Sequence, residues 1–357
     1  MKKYILDVTT SKDFTATSKA RGDIDGILEH EGFVRKTIDI GKNKKKVIKE
    51  IHAICRQLTT ILQTLEDDSE LVVQYPWPTM SYRMAKIIKK QAKKKRIKTI
   101  LTIHDVNSIR TASSITRLYY QMLVREIDFM DSFDCIICHT PAMKRYLIKE
   151  GIDEKKVVVL EIFDYLVEGG GKTSNVGTDR IQSVNIAGNL SRDKTGYIYR
   201  LPELNCKNYC FQLYGPSFDG STDDAIHYNG KYPAEQLPQY LREGFGLVWD
   251  GTEITTCSGN FGKYLKFNSP HKLSLYMACG IPVIVWADAA IAQFVKKNRV
   301  GFCIQSLQEI DHIMREITRE EYAEMQKNVA MIQKKVRCGD YMRNAYMKAE
   351  VIIGNER

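Results

Sequence analysis

The sequence predicts an α/β protein of two parallel-sheet domains followed by a helical C-terminal tail. Three observations carry that expectation. The 357 residues exceed what one hydrophobic core organises, which points to two domains of roughly 150 to 200 residues. Short apolar, β-branched runs alternate with amphipathic stretches of helical period on both sides of a glycine-rich break. Unbroken apolar strands of this kind belong to parallel sheets covered on both faces. With 43% hydrophobic residues, the chain has ample core material and general disorder is excluded.

In order along the chain, YILDVT (4–9) is a strand followed by a helix near 18–30, and FVRKTIDI (33–40) is a strand followed by a helix over 45–65. LVVQYP (71–76) precedes a helix over 80–94, and KTILTIHD (98–105) precedes a single long helix over 113–133. CIICHT (135–140) precedes a helix over 141–151, and KVVVLEI (156–162) closes six β/α units. Residues 164–180 contain three consecutive glycines among polar residues, which sustain neither helix nor strand. Strands resume at 181–188, 209–215, 225–230, 244–250, 281–286 and 301–304 with helices between them, and the last 50 or so residues read as helix. The domain boundaries expected are therefore 1–163, a linker at 164–180, 181–338, and a terminal helix over 339–357 that packs back on the first domain.

The net charge of +10 is uneven: residues 1–165 hold 30 basic against 22 acidic side chains, and 166–357 hold 23 against 21. Its densest part, KIIKKQAKKKRIK (86–98), suits either a solvated helix face or an anionic membrane surface. No helix-turn-helix, zinc-finger or RNP pattern accompanies it, so nucleic acid is not an expected partner. Nine cysteines scattered through ordinary patterns, with no apolar leader, suit reduced thiols and a cytoplasmic setting. No run approaches the ~18 apolar residues of a membrane span.

The chemistry concentrates at strand ends. In YLKFNSPHKLSLYMACGIPVIV (264–285), Pro270 suits the first helical turn, Ser269 or Asn268 its N-cap, and Gly280 its end. Lys266 and Lys272 crowd the helix start, where cations oppose the macrodipole. They are placed well if an anion sits there, and phosphate is the usual guest at the carboxyl edge of a parallel sheet. A second loop, AGNLSRDK (187–194), offers Asn189 and Ser191 as caps and the planar fork of Arg192 for phosphate. Loops 10–23 and 104–110 of the first domain would face this edge across a cleft. There Asp105, beside His104, is either a general base or the cap of a turn. Cys135 and Cys138 share zinc-like spacing but lie in a strand with no second pair at ligand distance, so no metal site is expected. Asp23 and Asp25 fall within a helix rather than on a strand-end loop.

These motifs together resemble a GT-B glycosyltransferase: two Rossmann-like β/α domains facing across a cleft. More narrowly, SPHKLSLYMACGIPVIV resembles the donor-domain segment of the bacterial glucosyltransferase 3-like family, whose relatives include galactofuranosyltransferases. The resemblance implies that Arg192, Lys266 and Lys272 contact the diphosphate of a UDP-sugar, Tyr214 the nucleotide, and Asn268 the phosphate or sugar. Thr15 and Thr17 would reach donor or acceptor. Many retaining GT-B enzymes carry two glutamates separated by seven residues here; Glu253 is followed eight positions later by Phe261, which favours inversion. The implied activity is hexosyl transfer from a UDP-sugar, with no cofactor or metal, to a glycan of cell-surface polysaccharide or adhesin, by a self-associating enzyme. A non-catalytic UDP-binding scaffold and a nucleotide-sugar epimerase remain the alternatives.

Overall fold

The computed structural model describes residues 1–9, 16–39, 47–77, 81–111, 114–167, 182–204, 206–241 and 243–354. The chain divides into two compact units, Met1–Leu160 with Tyr341–Arg357, and Glu161–Asp340. Each holds one six-stranded, wholly parallel sheet. Together they form a two-domain Rossmann-like α/β fold.

In unit 1, β1 (Lys3–Thr9), α1 (Ala16–His30), β2 (Val34–Asp39), α2 (Val47–Thr64), β3 (Glu70–Tyr75), α3 (Tyr82–Lys95) and β4 (Lys98–Ile103) follow in sequence. Next come α4 (Asn107–Arg110), α5 (Ser114–Leu118), a π-helical turn (Tyr119–Val124) and α6 (Glu126–Asp131). β5 (Cys135–Cys138), α7 (Pro141–Lys149) and β6 (Val157–Val159) complete the series. The strand order is β2-β1-β3-β4-β5-β6. β3 is buried at all six positions and β4 at five of its six, so apolar residues occupy both faces, as the sequence pattern requires.

The long helix expected over 113–133 is broken. The π-helical turn ends at Arg125, which takes a left-handed conformation (φ 49°), and α6 starts anew. The cause is tertiary. The buried carboxylate of Glu126 accepts hydrogen bonds from the backbone N–H of Asn107 and Ser108, both at 2.8 Å, and from Tyr75 Oη. Tying α6 to α4 in this way overrides local helical preference.

Unit 2 contains β7 (Ser183–Ala187), α8 (Arg192–Thr195), β8 (Cys210–Tyr214), β9 (Ile226–Tyr228), β10 (Phe245–Val248), α9 (Gly259–Tyr264) and α10 (His271–Cys279). β11 (Val283–Trp286), α11 (Ala292–Asn298), β12 (Gly301–Ile304), α12 (Ile310–Glu316) and α13 (Arg319–Cys338) follow. The order is β12-β11-β10-β7-β8-β9. Full helices do not join all of its strands: 215–225 is a loop between β8 and β9, and only a 3-10 turn, Leu237–Gln239, lies before β10. Most of the glycine-rich stretch, residues 168–181, lies outside the described residues; its first part, to Val167, belongs with unit 2.

After α13 the left-handed Gly339 (φ 85°) stops the helix, and α14 (Asp340–Gly354) continues as part of unit 1. There Tyr346 Oη is bonded to the carboxylate of Glu70, and its ring meets Phe33 edge-on at 5.0 Å. Lys3 pairs with Glu350 at 2.8 Å and Arg343 with Glu31 at 2.6 Å. No helix among the described residues is long and apolar enough to cross a membrane.

Candidate functional site

The carboxyl edge of the unit 2 sheet brings the predicted residues of 187–194 and 264–272 to neighbouring strand ends. β10 lies directly beside β7, pairing Phe245 with Val184, while β8 lies on the other side of β7. Chain connections therefore diverge between β7 and β10, and the crevice at such a switch point is where open α/β sheets bind ligands.

Helix α10 is held with its N-terminus at that crevice by Tyr276. Its hydroxyl donates to Asn185 O (2.9 Å) and accepts from Ala187 N–H (3.0 Å), on β7. Its ring lies against Gly246 of β10 so closely that a Cβ there would sit 2.2 Å from it. A hydrogen-bonded phenol beneath a bare backbone thus sets the height of the helix. The capping differs from expectation: Pro270 itself is the N-cap residue, extended at φ −68°, ψ 139°, with no side-chain cap, and the helix begins at His271. Ser269 is buried and Asn268 half-buried. Proline at the cap, with no side-chain acceptor over the first turn, leaves room for an external anion.

Lys272, one residue inside the helix, turns back over the crevice. Its Nζ lies 2.9 Å from Asp250 Oδ1 and 3.4 Å from Trp249 O, both after β10, and its Cε lies 3.3 Å from where a Cβ of Gly188 would stand. Gly188 (φ 125°) and Gly215 (φ 152°) pass in contact; a Cβ on Gly215 would fall 1.7 Å from Gly188 O. Only glycine fits where these loops cross. The Gly251 N–H donates to Lys194 O (2.8 Å), which ties the β10 loop to the β7 loop.

Arg192 and Lys266 flank this centre. The Arg192 guanidinium stacks 3.9 Å over the Tyr199 ring and pairs with Asp219 at 3.2 Å, on the β8 side. Hydrogen bonds from Tyr199 and Arg192 hold the Asp219 carboxyl below the usual carboxylate range. Lys266 lies 5.1 Å over the Trp286 ring and 3.4 Å from Asp288, beyond β11. Each of the three cations thus has its own aspartate partner. Sequence reasoning missed Asp219, Asp250 and Asp288, although Asp250 directly follows the VW of a predicted strand and could have been found by asking what ends it. Lys272 and Asp250 are nearly buried, at 11% and 10% side-chain exposure, whereas Arg192 and Lys266 are exposed.

The other predicted residues have different surroundings. Asn189 Oδ1 accepts from Ser191 N–H at 3.0 Å and so shapes its own turn. Asn268 Oδ1 is enclosed with no hydrogen-bond partner among the described residues, an acceptor in want of a donor. Tyr214 is 8% exposed, and burial raises the pKa of its phenol; its backbone O accepts from Gly188 N–H (2.9 Å), so the residue supports the β7 loop from within. Thr15 lies outside the described residues, as does the side chain of Thr17 at the start of α1. Glu253 pairs with Arg200.

In unit 1, His104 and Asp105 follow β4. His104 is buried, with Nε2 2.6 Å from Gln74 Oε1, and Gln74 in turn donates to Asp25 Oδ1 at 2.6 Å. Asp105 has 15% side-chain exposure and pairs with Arg110 at 2.7 Å. Burial, then the nearby Asp7, raises the Asp25 pKa to about 7. In the unfolded chain this group titrates near 3.9, so between those values the native state holds a proton that the unfolded state has lost. Stability carried by the protonated form is full below about pH 4 and declines as pH rises to 7, by up to ~1.4 kcal/mol per pH unit. Asp25→Asn is expected to flatten that decline, read as the change in urea midpoint between acid and neutral pH; an unchanged slope would refute it.

Among the described residues no cluster of three His, Cys, Asp or Glu could hold a metal ion. Cys135 and Cys138 are both buried in β5, and burial pushes the Cys138 thiol up to about 12.

Residues 2–162 match the N-terminal domain, and residues 184–349 the C-terminal domain, of the glucosyltransferase 3-like family. The chain is 32% identical over 290 residues, 81% of each protein, to the β-1,6-galactofuranosyltransferase WbbI of Escherichia coli K12. It is 26% identical over 280 residues, 77% of each, to glucosyltransferase 3 of Streptococcus gordonii. Among solved structures it resembles a sucrose-phosphate synthase from Thermosynechococcus elongatus, with TM-score 0.62 at 14% identity, covering 97% of this chain and 99% of that one. The lipopolysaccharide outer core galactosyltransferase WaaB gives 0.60 at 12%, covering 97% and 99%. At such identities these two speak for the fold alone.

Proposed function

The chain belongs to the glucosyltransferase 3-like family of GT-B glycosyltransferases, and from that premise we propose that it moves a hexose from UDP to a glycan hydroxyl, with inversion and without a metal or cofactor. The observation that supports this most is the uncapped start of α10 at the β7–β10 switch point, with Lys272 folded across it and Arg192 and Lys266 on the adjoining strand ends. Fixed N–H dipoles and cations at that place stabilise charge as it builds on a leaving diphosphate.

In this mechanism the acceptor oxygen forms a bond to the anomeric carbon while the bond to the UDP oxygen breaks, and the acceptor proton passes to a carboxylate. Asp105 is the proposed base. Its partner Arg110 sets the direction of its carboxylate, and Gln74 fixes the neighbouring His104. Asn268 Oδ1, enclosed and unsatisfied, is the proposed acceptor for a donor hydroxyl. We rank UDP-galactofuranose first among donors, ahead of UDP-glucose and UDP-galactose, a reading supported by the higher identity to a galactofuranosyltransferase than to a glucosyltransferase. The acceptor proposed is a glycan of cell-surface polysaccharide or adhesin. The setting proposed is cytoplasmic, with self-association and with residues 86–98 at the inner membrane face.

Incubation with these UDP-sugars, with and without glycan acceptors, tests the reading. UDP release that requires acceptor is the expected result. Interconversion of the sugar without acceptor would identify an epimerase, and binding without turnover of any donor would identify a scaffold; either overturns the proposal.

A further inference from the structure

Helix α3 carries no acidic residue; it buries Met84, Ala85 and Ile88 against unit 1 and exposes Arg83, Lys86, Lys89, Lys90, Lys93 and Lys94. None of these six forms an ion pair among the described residues. Asp67 and Asp68, at the far end of the helix, are taken by Lys95 and Arg96, and Asp128, near its start, by Arg125. A surface helix that serves only solubility intersperses its charges. Six cations without counter-charge point outward for a reason that packing does not supply.

At its other end the basic face runs into a second feature. The Tyr82 ring lies between Lys86 Nζ, at 5.2 Å, and the guanidinium of Arg125, at 4.5 Å; Arg125 also pairs with Asp128 at 2.6 Å. Arg125 directly follows the π-helical turn, where Tyr119 and Tyr120 meet edge-on at 5.3 Å. On α5 and this turn, Leu118 is 52% and Met122 70% exposed. A basic helix face is therefore joined, through one aromatic ring, to a tip of two protruding apolar side chains with tyrosines beside them.

We propose that this combined surface docks unit 1 on an anionic lipid membrane, with α3 lying on the headgroups and Leu118 and Met122 entering the acyl boundary. Cations alone would suit any polyanion, and an apolar tip alone any apolar partner. An interface that is negatively charged at its surface and hydrocarbon just beneath satisfies both, and tyrosine is favoured at that depth. The proposal rests on the membrane contact inferred above for residues 86–98 and adds an inserting element to it. Because the tip follows β4, on the same sheet edge as Asp105, docking would present that edge to acceptors carried in the membrane.

Co-sedimentation of the full chain with vesicles tests this. The chain is expected to bind phosphatidylcholine vesicles containing phosphatidylglycerol, and to leave those of phosphatidylcholine alone. Lys86→Gln/Lys89→Gln/Lys90→Gln should weaken partition by roughly a hundredfold. Leu118→Ser/Met122→Ser should weaken it by about tenfold or more, with thermal unfolding unchanged because both residues are exposed. A wild-type chain that ignores phosphatidylglycerol vesicles overturns both the contact and the insertion. Full binding by Leu118→Ser/Met122→Ser, with loss in the lysine variant, overturns insertion alone. A change from dimer to monomer in Leu118→Ser/Met122→Ser without vesicles would assign the tip to a second copy of the chain and overturn the lipid assignment.

Discussion

Replacing Lys272 with methionine is expected to lower kcat by about 10²–10³, the loss of ~3–4 kcal/mol that follows removal of one charge-stabilising donor from a preorganised site. The single variant also carries a structural cost. Asp250 is 7% exposed, and removing its partner leaves a buried carboxylate unpaired, which destabilises by about 3–5 kcal/mol. The informative experiment is therefore the pair Lys272→Met and Asp250→Asn/Lys272→Met. The double variant, with both charges gone, should recover most of the stability in urea unfolding and none of the turnover. A stable double variant with wild-type kcat would remove Lys272 from the leaving-group site.

Gly246→Ala is expected to disable the site without touching any charge. The new methyl would meet the Tyr276 ring at 2.2 Å, and the ring cannot turn aside because its hydroxyl is held by Asn185 O and Ala187 N–H. Either β10 or α10 must move. Overpacking of this kind costs about 3 kcal/mol, and a displacement of α10 by ~1 Å would reduce turnover by about a hundredfold. Tyr276→Leu in the same chain should restore stability by vacating the space, at the loss of both phenol hydrogen bonds. Unaltered unfolding of Gly246→Ala would show that the Tyr276 contact does not set the helix position.

The strands were legible because each is an unbroken apolar run bounded by turn residues, and all twelve sequence runs coincide with strands of the structure. α10 was legible from Pro270 and Gly280, which mark its ends chemically. What sequence alone missed depends on partners distant in the chain. Lys272 and Asp250 are 22 residues apart, and no local pattern says that the cation at a helix start has a buried counter-charge. Its misfit with the macrodipole was real, and Asp250 offsets part of it. The break at Arg125 is of the same kind, since Glu126 answers to Asn107 and Ser108 rather than to its own helix. The burial of Tyr214, which the family resemblance sets against a nucleotide, has no signature in the sequence around it either.

The return of α14 to unit 1 has a consequence for how the protein is made. A ribosome releases Lys3 and Phe33 before unit 2 and their partners Glu350 and Tyr346 after it. The whole of unit 2 is synthesised in between, which at 5–20 residues per second takes on the order of ten seconds or more. The domain born first is thus finished last, and throughout that interval Glu70 of β3 and Phe33, just before β2, wait without their α14 partner. A chain truncated before Tyr341 would contain every strand of both sheets and still lack the piece that closes the first of them.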